Sequence, residues 1–176
     1  MVPVKDRGGD EEMSVEIHDG ITVRATRRFD HTPEVVFRAF TEPDLAAAWM
    51  WAGLGNDPRA EIDLRVGGRY RVAMSVEGPG SSWPGSERAF RGVYVEIVPD
   101  RRLVYTLHWD ADVGYNHPCE ESIDEAVIVD FEPSRGGTCL VYTHTGLPGG
   151  AAPAEEHARG IEASLDLLGA LLAERS

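Results

Sequence analysis

The sequence predicts an α+β fold in which a curved antiparallel β-sheet of six to seven strands wraps around a long C-terminal α-helix. The helix is predicted over His157–Arg175, because Ile161, Leu165, Leu168 and Leu172 recur there at helical spacing. Two short helices are predicted after the first strand, and only strands and turns follow until the last helix. A long helix that closes over such a sheet leaves a hollow, so we expect a cavity that holds a small apolar molecule.

The first strand is predicted at Ile21 to Phe29, where apolar and polar residues alternate. Asp30 or Thr32 then caps a short helix that has Pro33 at its first position. Pro43 starts a second short helix, since proline is tolerated in the first turn of a helix and not in its interior.

Six more strands are predicted between the second and the last helix, without the β-α-β alternation that is typical of a parallel sheet. Short turns separate them, including a hairpin signal at Gly67-Gly68. Neighbouring strands joined by short turns indicate an antiparallel meander. The predicted ranges are Arg59–Leu64, Arg69–Val76, Ala89–Val98, Leu103–Trp109, Ala126–Phe131 and Thr138–Thr145.

The chain of 176 residues is long enough for one domain with a substantial core. Residues 1–19 are polar, rich in glycine and acidic residues, and without periodicity. We therefore expect a mobile N-terminal tail over residues 1–19 and a single domain over residues 20–176.

Charge and composition exclude several classes of partner. The net charge of −13 argues against nucleic acid and against anionic membrane surfaces, which both need clustered lysine and arginine. No apolar run approaches the roughly 20 residues of a membrane helix, and the N-terminus lacks the apolar region of a signal peptide. We therefore expect a cytoplasmic protein in which Cys119 and Cys139 are both thiols.

Five stretches in the right order resemble one known family, the proteins similar to the C-terminal domain of the activator of heat-shock-protein-90 ATPase. This family belongs to the START-like (SRPBCC) superfamily, whose fold is called a helix-grip, and it implies a hydrophobic cavity, ligand binding and a link to stress response. The matching stretches are Phe29–Pro43, Asp63–Tyr70, Phe90–Ile97 with Arg102–Thr106, Gly137–Pro148 and the closing helix.

The sequence departs from the family pattern at two places. The family usually has Trp-Trp-Gly-Pro after the second helix, where this chain has Trp49-Met-Trp-Ala-Gly, and it usually has Gly-Trp where this chain has Gly160-Ile161. Both places are expected to border the cavity, so the shape of the cavity should differ from that of the family. We also expect no separate N-terminal chaperone-binding domain of the kind that the eukaryotic activator has, so a chaperone partner is doubtful.

Histidines and one cysteine are the candidates for chemistry. His117 and Cys119, with Glu120, could ligate a metal, but a third or fourth ligand would have to come from His108, His144 or His18, and the spacing matches no established motif. We therefore predict no metal and no cofactor. His108 and His144 could instead orient a ligand through hydrogen bonds if their strand faces point inward. No set of nucleophile, base and orienting group is readable, so no catalytic residue is predicted.

Large apolar side chains with a few polar groups are expected to line the cavity, although most aromatic residues serve the core. Trp83, in a loop rich in glycine and proline, could cap the mouth of the cavity or pack on a partner. The predicted ligand-binding residues are Phe37, Trp49, Trp51, Tyr70, Val72, Met74, Phe90, Tyr94, His108, Tyr142, His144, Ile161, Leu165 and Leu168.

Three functions remain open at this point. We favour a non-enzymatic protein that binds a small apolar or aromatic molecule. The first alternative is an enzyme similar to polyketide cyclases or dehydratases, in which a closed cavity orients a flexible substrate. The second is an interaction protein that modulates a chaperone ATPase. Related folds often dimerise through edge strands or the outer face of the sheet, and the sequence leaves a homodimer open.

Overall fold

A computed structural model describes residues 13–19, 21–51, 56–76, 86–109, 125–147 and 151–175 of the protein. Within these ranges the chain forms nine strands and three helices. Their bounds are β1 Met13–His18, β2 Thr22–Phe29, α1 Pro33–Thr41, α2 Pro43–Trp49, β3 Asn56–Ile62, β4 Arg69–Val76, β5 Ser86–Val98, β6 Arg102–Thr106, β7 His108–Trp109, β8 Ala126–Ser134, β9 Gly137–Thr145 and α3 Ala151–Ala173.

The strands form one antiparallel sheet in the order β1-β2-β9-β8-β6-β5-β4-β3, with β7 paired to β5 outside this path. The predicted fold class is confirmed: α3 lies over the curved sheet, and two short helices precede β3. The sheet has nine strands instead of six to seven, partly because the strand predicted over residues 103–109 is interrupted at Leu107. The Leu107 N–H leaves the ladder and donates to the carbonyl oxygen of Glu125 at 3.1 Å.

The N-terminal boundary of the folded domain lies earlier than the sequence predicts. Met13–His18 pairs with β2 over its whole length, from Met13 opposite Arg27 to His18 opposite Thr22. The prediction of a mobile tail is therefore wrong for residues 13–18, and residues 1–12 lie outside the described part of the chain. Met13 and Val15 are half-buried and pack against the core, which stabilises this edge strand.

The turn between β3 and β4 has the glycine pair that the sequence predicts. Gly67 has a φ of 77°, in the left-handed region that favours glycine, and its N–H donates to the carbonyl oxygen of Tyr94 at 2.7 Å. A Cβ atom at Gly68 would lie 2.1 Å from the carbonyl oxygen of Asp63. One glycine is therefore required by its backbone conformation and the other by a close approach.

The two short helices share one residue between them. Thr32 is at the N-cap position of α1, where its side chain makes no capping hydrogen bond, and Pro33 is the first residue of the helix, as predicted. The Glu42 N–H donates to the carbonyl oxygen of Arg38 at the end of α1, and the Glu42 carbonyl accepts from the Ala46 N–H at the start of α2. The chain therefore turns sharply here, and α1 and α2 pack against each other.

Helix α3 begins at Ala151 rather than at His157 and packs over β1, β2 and α2. Its inner face buries Ala154, Ile161, Leu165, Leu168 and Leu172 against the sheet. Arg27 of β2, almost fully buried, donates from Nη1 to Oδ1 of Asp166 on α3 at 2.6 Å. Apolar contact and this ion pair together fix the helix over the sheet.

None of the helices in the described ranges is both long enough and apolar enough to cross a membrane.

Candidate functional site

A pocket of about 300 Å³ lies between the inner face of the sheet and α3. Aromatic and aliphatic side chains form most of its wall, with a few polar groups among them. The lining residues are Trp49, Met50, Trp51, Arg88, Phe90, Tyr105, Leu107, Trp109, Tyr142, His144, Glu156, His157, Gly160, Ile161, Ser164 and Leu165.

One wall of the pocket is a cluster of aromatic rings. Phe90 of β5 lies opposite Trp109 of β7 in the ladder, so both side chains project from the same face of the sheet. The ring of Trp51 lies 5.1 Å from that of Phe90 and 5.6 Å from that of Trp109. Such tilted and edge-to-face contacts are the favoured arrangement of aromatic pairs, so the rings hold each other in place.

Trp49 at the end of α2 and Trp51 just after it have their polar atoms satisfied away from the pocket. Trp49 donates from Nε1 to the carbonyl oxygen of Ala39 at 2.9 Å, and Trp51 donates from Nε1 to that of Val72 at 3.3 Å. Because the indole N–H groups are bound to the backbone, these side chains present apolar ring surface to the pocket.

One lining residue, His144, belongs to a buried polar pair. Nε2 of His144 is hydrogen-bonded to Oε1 of Glu125 at 2.8 Å, and each residue is only 2% exposed. His144 lies in β9 between Val23 of β2 and Val127 of β8, which places it on the inner face of the sheet. A buried charge is tolerated when it is paired and hydrogen-bonded, so each side chain supports the burial of the other.

His157 of α3 lies beside this pair. Its ring centroid is 5.3 Å from that of His144 and 6.0 Å from that of Trp109. The nearest donor atoms of Glu125, His144 and His157 all lie within 4.8 Å of one another. Three elements that are distant in sequence therefore bring two imidazoles and a carboxylate together.

The phenols on the inner face are neutral at physiological pH. Burial raises the pKa of Tyr142, which lines the pocket and is hydrogen-bonded to Tyr105. Burial also raises the pKa values of Tyr105 and Tyr70 well above the ordinary range. The Tyr70 hydroxyl donates to the carbonyl oxygen of Thr106 at 2.7 Å. These side chains can therefore donate hydrogen bonds but carry no charge.

A second void of only about 10 Å³ lies deeper between the sheet and the short helices, with Met50 and Tyr105 lining both spaces. Tyr70, Val72 and Tyr94 border it. Its volume is about that of a single water probe, so it is a packing defect or a water site rather than a place for an organic molecule.

The predicted ligand-binding residues divide into four groups. Seven line the main pocket, namely Trp49, Trp51, Phe90, Tyr142, His144, Ile161 and Leu165, and three border the second void, namely Tyr70, Val72 and Tyr94. Phe37, Met74 and Leu168 are buried in the core outside both linings. His108 is opposite Arg91 in the ladder, on the strand face away from Phe90 and Trp109, and it does not border the pocket.

Several lining residues were not predicted, although the sequence carries a signal for some of them. Every second residue of the segment 103–109 is apolar, and this alternation indicates the face that points inward. The residues on that face are Leu103, Tyr105, Leu107 and Trp109, and His108 lies on the other face. His157 precedes Ile161 by one helical turn and so shares its face. Glu125, which lies outside the pocket lining, has no such local signal, because its partner His144 lies in another strand.

The two places where the sequence departs from the family pattern both border the pocket. Trp49, Met50 and Trp51 line it from α2 and the following turn, and Gly160 and Ile161 line it from α3.

Trp83 and the candidate metal cluster Tyr115–Glu121, including Cys119, lie outside the described residues. His18 lies on the edge strand β1, exposed and within 3.3 Å of Glu16.

Comparison with known proteins gives one family. Residues 30–173 match the family described as Activator of Hsp90 ATPase homolog 1-like protein. A crystal structure of a protein from Chromobacterium violaceum is 33% identical, covers 85% of this chain and 95% of its own, and has a TM-score of 0.65.

Two more distant structures share the fold. A Rhodobacter sphaeroides protein is 23% identical over 94% of this chain and 100% of its own, with a TM-score of 0.72. An AHSA1-like protein from Aeromonas hydrophila is 22% identical over 88% of this chain and 94% of its own, with a TM-score of 0.68. No curated protein matches the chain.

Proposed function

Because the chain belongs to the family of Activator of Hsp90 ATPase homolog 1-like proteins, we propose that it binds a small apolar or aromatic molecule between the sheet and α3. The observation that carries the proposal is the aromatic pocket of about 300 Å³. This volume lies at the lower end of the range of small-molecule sites, which is about 300–1,000 Å³. An apolar wall with few polar groups is also typical of such sites.

The apolar wall sets the expected affinity. A neutral molecule of two or three rings that buries about 300 Å² gains about 7.5 kcal/mol at about 25 cal/mol per Å². Ordering costs reduce this gain, so the dissociation constant should be micromolar or weaker. Tyr142 and His144, which line the pocket, then select among ligands by hydrogen bonding.

The test is a fluorescence titration with N-phenyl-1-naphthylamine, a neutral probe whose emission rises in an apolar environment. Ile161→Trp places a large ring in the pocket wall and should weaken binding at least about tenfold, which is about 1.4 kcal/mol. Ala163→Trp is the matched control, because Ala163 is exposed on the same helix and should leave affinity unchanged. Equal affinity of the two variants would rule out this pocket as the binding site.

A natural ligand can be sought in the same preparation. Native mass spectrometry of gently purified protein, compared with the mass after denaturation, should show a discrete excess mass that is lost on unfolding. Ile161→Trp should reduce the fraction of the protein that carries this mass, and Ala163→Trp should not.

The buried His144–Glu125 pair favours a second candidate function, an enzyme similar to polyketide cyclases or dehydratases. A histidine oriented by a carboxylate beside an apolar pocket is an arrangement suited to general acid–base catalysis. Glu125→Gln keeps the size of the side chain and removes its charge. Turnover of a component of a metabolite extract by the wild type, lost in this variant, would favour the enzyme over the binding protein.

A further inference from the structure

We propose that Glu125, His144 and His157 bind a divalent transition-metal cation at the edge of the pocket. The donor atoms of the three side chains already lie within 4.8 Å of one another. They come from the residue before β8, from β9 and from α3, so the fold and not a local sequence motif brings them together. The proposal does not rest on the binding of an organic ligand.

The geometry requires only a small adjustment. Zn²⁺ binds imidazole nitrogen and carboxylate oxygen at about 2.0–2.2 Å, so donor atoms of a tetrahedral site lie roughly 3.3–3.6 Å apart. Nε2 of His144 and Oε1 of Glu125 are 2.8 Å apart and would separate slightly as the cation replaces the proton between them. His157 is half-buried on α3, and a change of its side-chain torsions can complete the approach.

The donor set selects the class of cation. Two imidazoles and one carboxylate form the protein ligands of several zinc sites and of non-haem Fe(II) sites, both of which leave positions open. Ca²⁺ and Mg²⁺ prefer oxygen ligands alone, so this set disfavours them. His144 and His157 both line the pocket, so a cation that they hold borders the pocket and can offer a coordination position to its contents.

The burial of this site is compatible with a cation. Glu125 and His144 are almost fully buried, and buried carboxylates in proteins are paired or coordinate metals. A hydrogen-bonded pair needs only Glu125 and His144. The approach of a third donor, the imidazole of His157 on α3, is what a metal site requires in addition. The competing explanation is a purely structural His144–Glu125 pair, and it predicts no metal binding.

The experiment uses untagged full-length protein, treated with a chelator and titrated with Zn²⁺ by calorimetry at physiological salt, which screens weak binding to the acidic surface. We expect one equivalent of Zn²⁺ per chain. Co²⁺ bound in its place should give the intense visible absorption of a low-coordinate site with nitrogen and oxygen ligands.

The decisive variant is His157→Gln, because His157 is only half-buried and its replacement should leave the fold intact. It should weaken Zn²⁺ binding by about 100-fold or more, with an unchanged melting temperature of the metal-free protein. His18→Gln, an exposed histidine of β1, is the matched control and should bind like the wild type.

A double variant, His117→Ala with Cys119→Ser, separates this site from the metal cluster considered in the sequence. The proposal requires that the double variant bind Zn²⁺ like the wild type. Absence of a stoichiometric site in the wild type would overturn the proposal. Unchanged affinity in His157→Gln, or loss of binding in the double variant alone, would overturn it equally.

Discussion

Replacing Leu168 with alanine tests whether α3 seals the core. Leu168 is fully buried on the inner face of the helix, among the side chains of the central cluster. The substitution removes three carbon atoms, which contribute about 2.4 kcal/mol at about 0.8 kcal/mol each. The cavity that remains adds to this loss, so we expect the free energy of unfolding to fall by about 2–5 kcal/mol.

The assay is urea unfolding followed by circular dichroism, with the melting temperature as a second readout. For a protein of this size a loss of about 3 kcal/mol lowers the melting temperature by about 6–12 °C. Leu167→Ala is the matched control, since Leu167 neighbours Leu168 but is only half-buried, and its loss should be about half as large or less. An equal loss in both variants would refute the docking of α3 through this face.

Two further predictions concern glycines and tyrosines. Gly92→Ala should destabilise the protein by about 1–3 kcal/mol, because the added Cβ would lie 1.9 Å from the carbonyl oxygen of Thr106 in β6. Gly160→Ala should instead stabilise α3 by about 0.5–1 kcal/mol, because the added Cβ meets no atom within 4 Å and alanine favours a helix more than glycine does. Thermal melts of the two variants that shift in the same direction would contradict this reasoning. Burial raises the pKa of Tyr70, Tyr105 and Tyr142 in the folded protein, so the stability that their neutral forms provide is complete below pH 10 and is lost as the pH rises above it. In an alkaline absorbance titration their phenolate signal should appear only together with unfolding, and ionisation near pH 10 in the folded state would argue against their burial.

The sequence predicts those elements whose pattern is local. Strand β4 matches its predicted range, because polar and apolar residues alternate between the glycine pair and the glycine- and proline-rich sequence that follows Val76. Strand β1 is not predicted from the sequence, although Met13, Val15 and Ile17 alternate with polar residues. This alternation is short and lies within a segment rich in acidic residues, which is typical of a disordered tail. An edge strand gains its stability from pairing with β2, which no local pattern reports.

The sequence predicts which side chains line the pocket only where spacing determines that they share a face. The helical spacing of Ile161 and Leu165 placed both in the pocket wall, and the same spacing also identifies His157. His108 lies on the opposite face of its segment from Trp109, and so away from the pocket. The pairing of His144 with Glu125 joins two strand ends across a hairpin and depends on the register of the sheet, which the sequence does not specify by itself.

The most direct test of the account is a nuclear magnetic resonance experiment on the protein in complex with N-phenyl-1-naphthylamine. Intermolecular nuclear Overhauser effects report which side chains lie beside the probe. The account predicts contacts from the probe to the methyl groups of Ile161 and Leu165 and to the indole rings of Trp51 and Trp109. Contacts confined to residues outside the pocket wall would contradict the claim that the space between the sheet and α3 is the binding site.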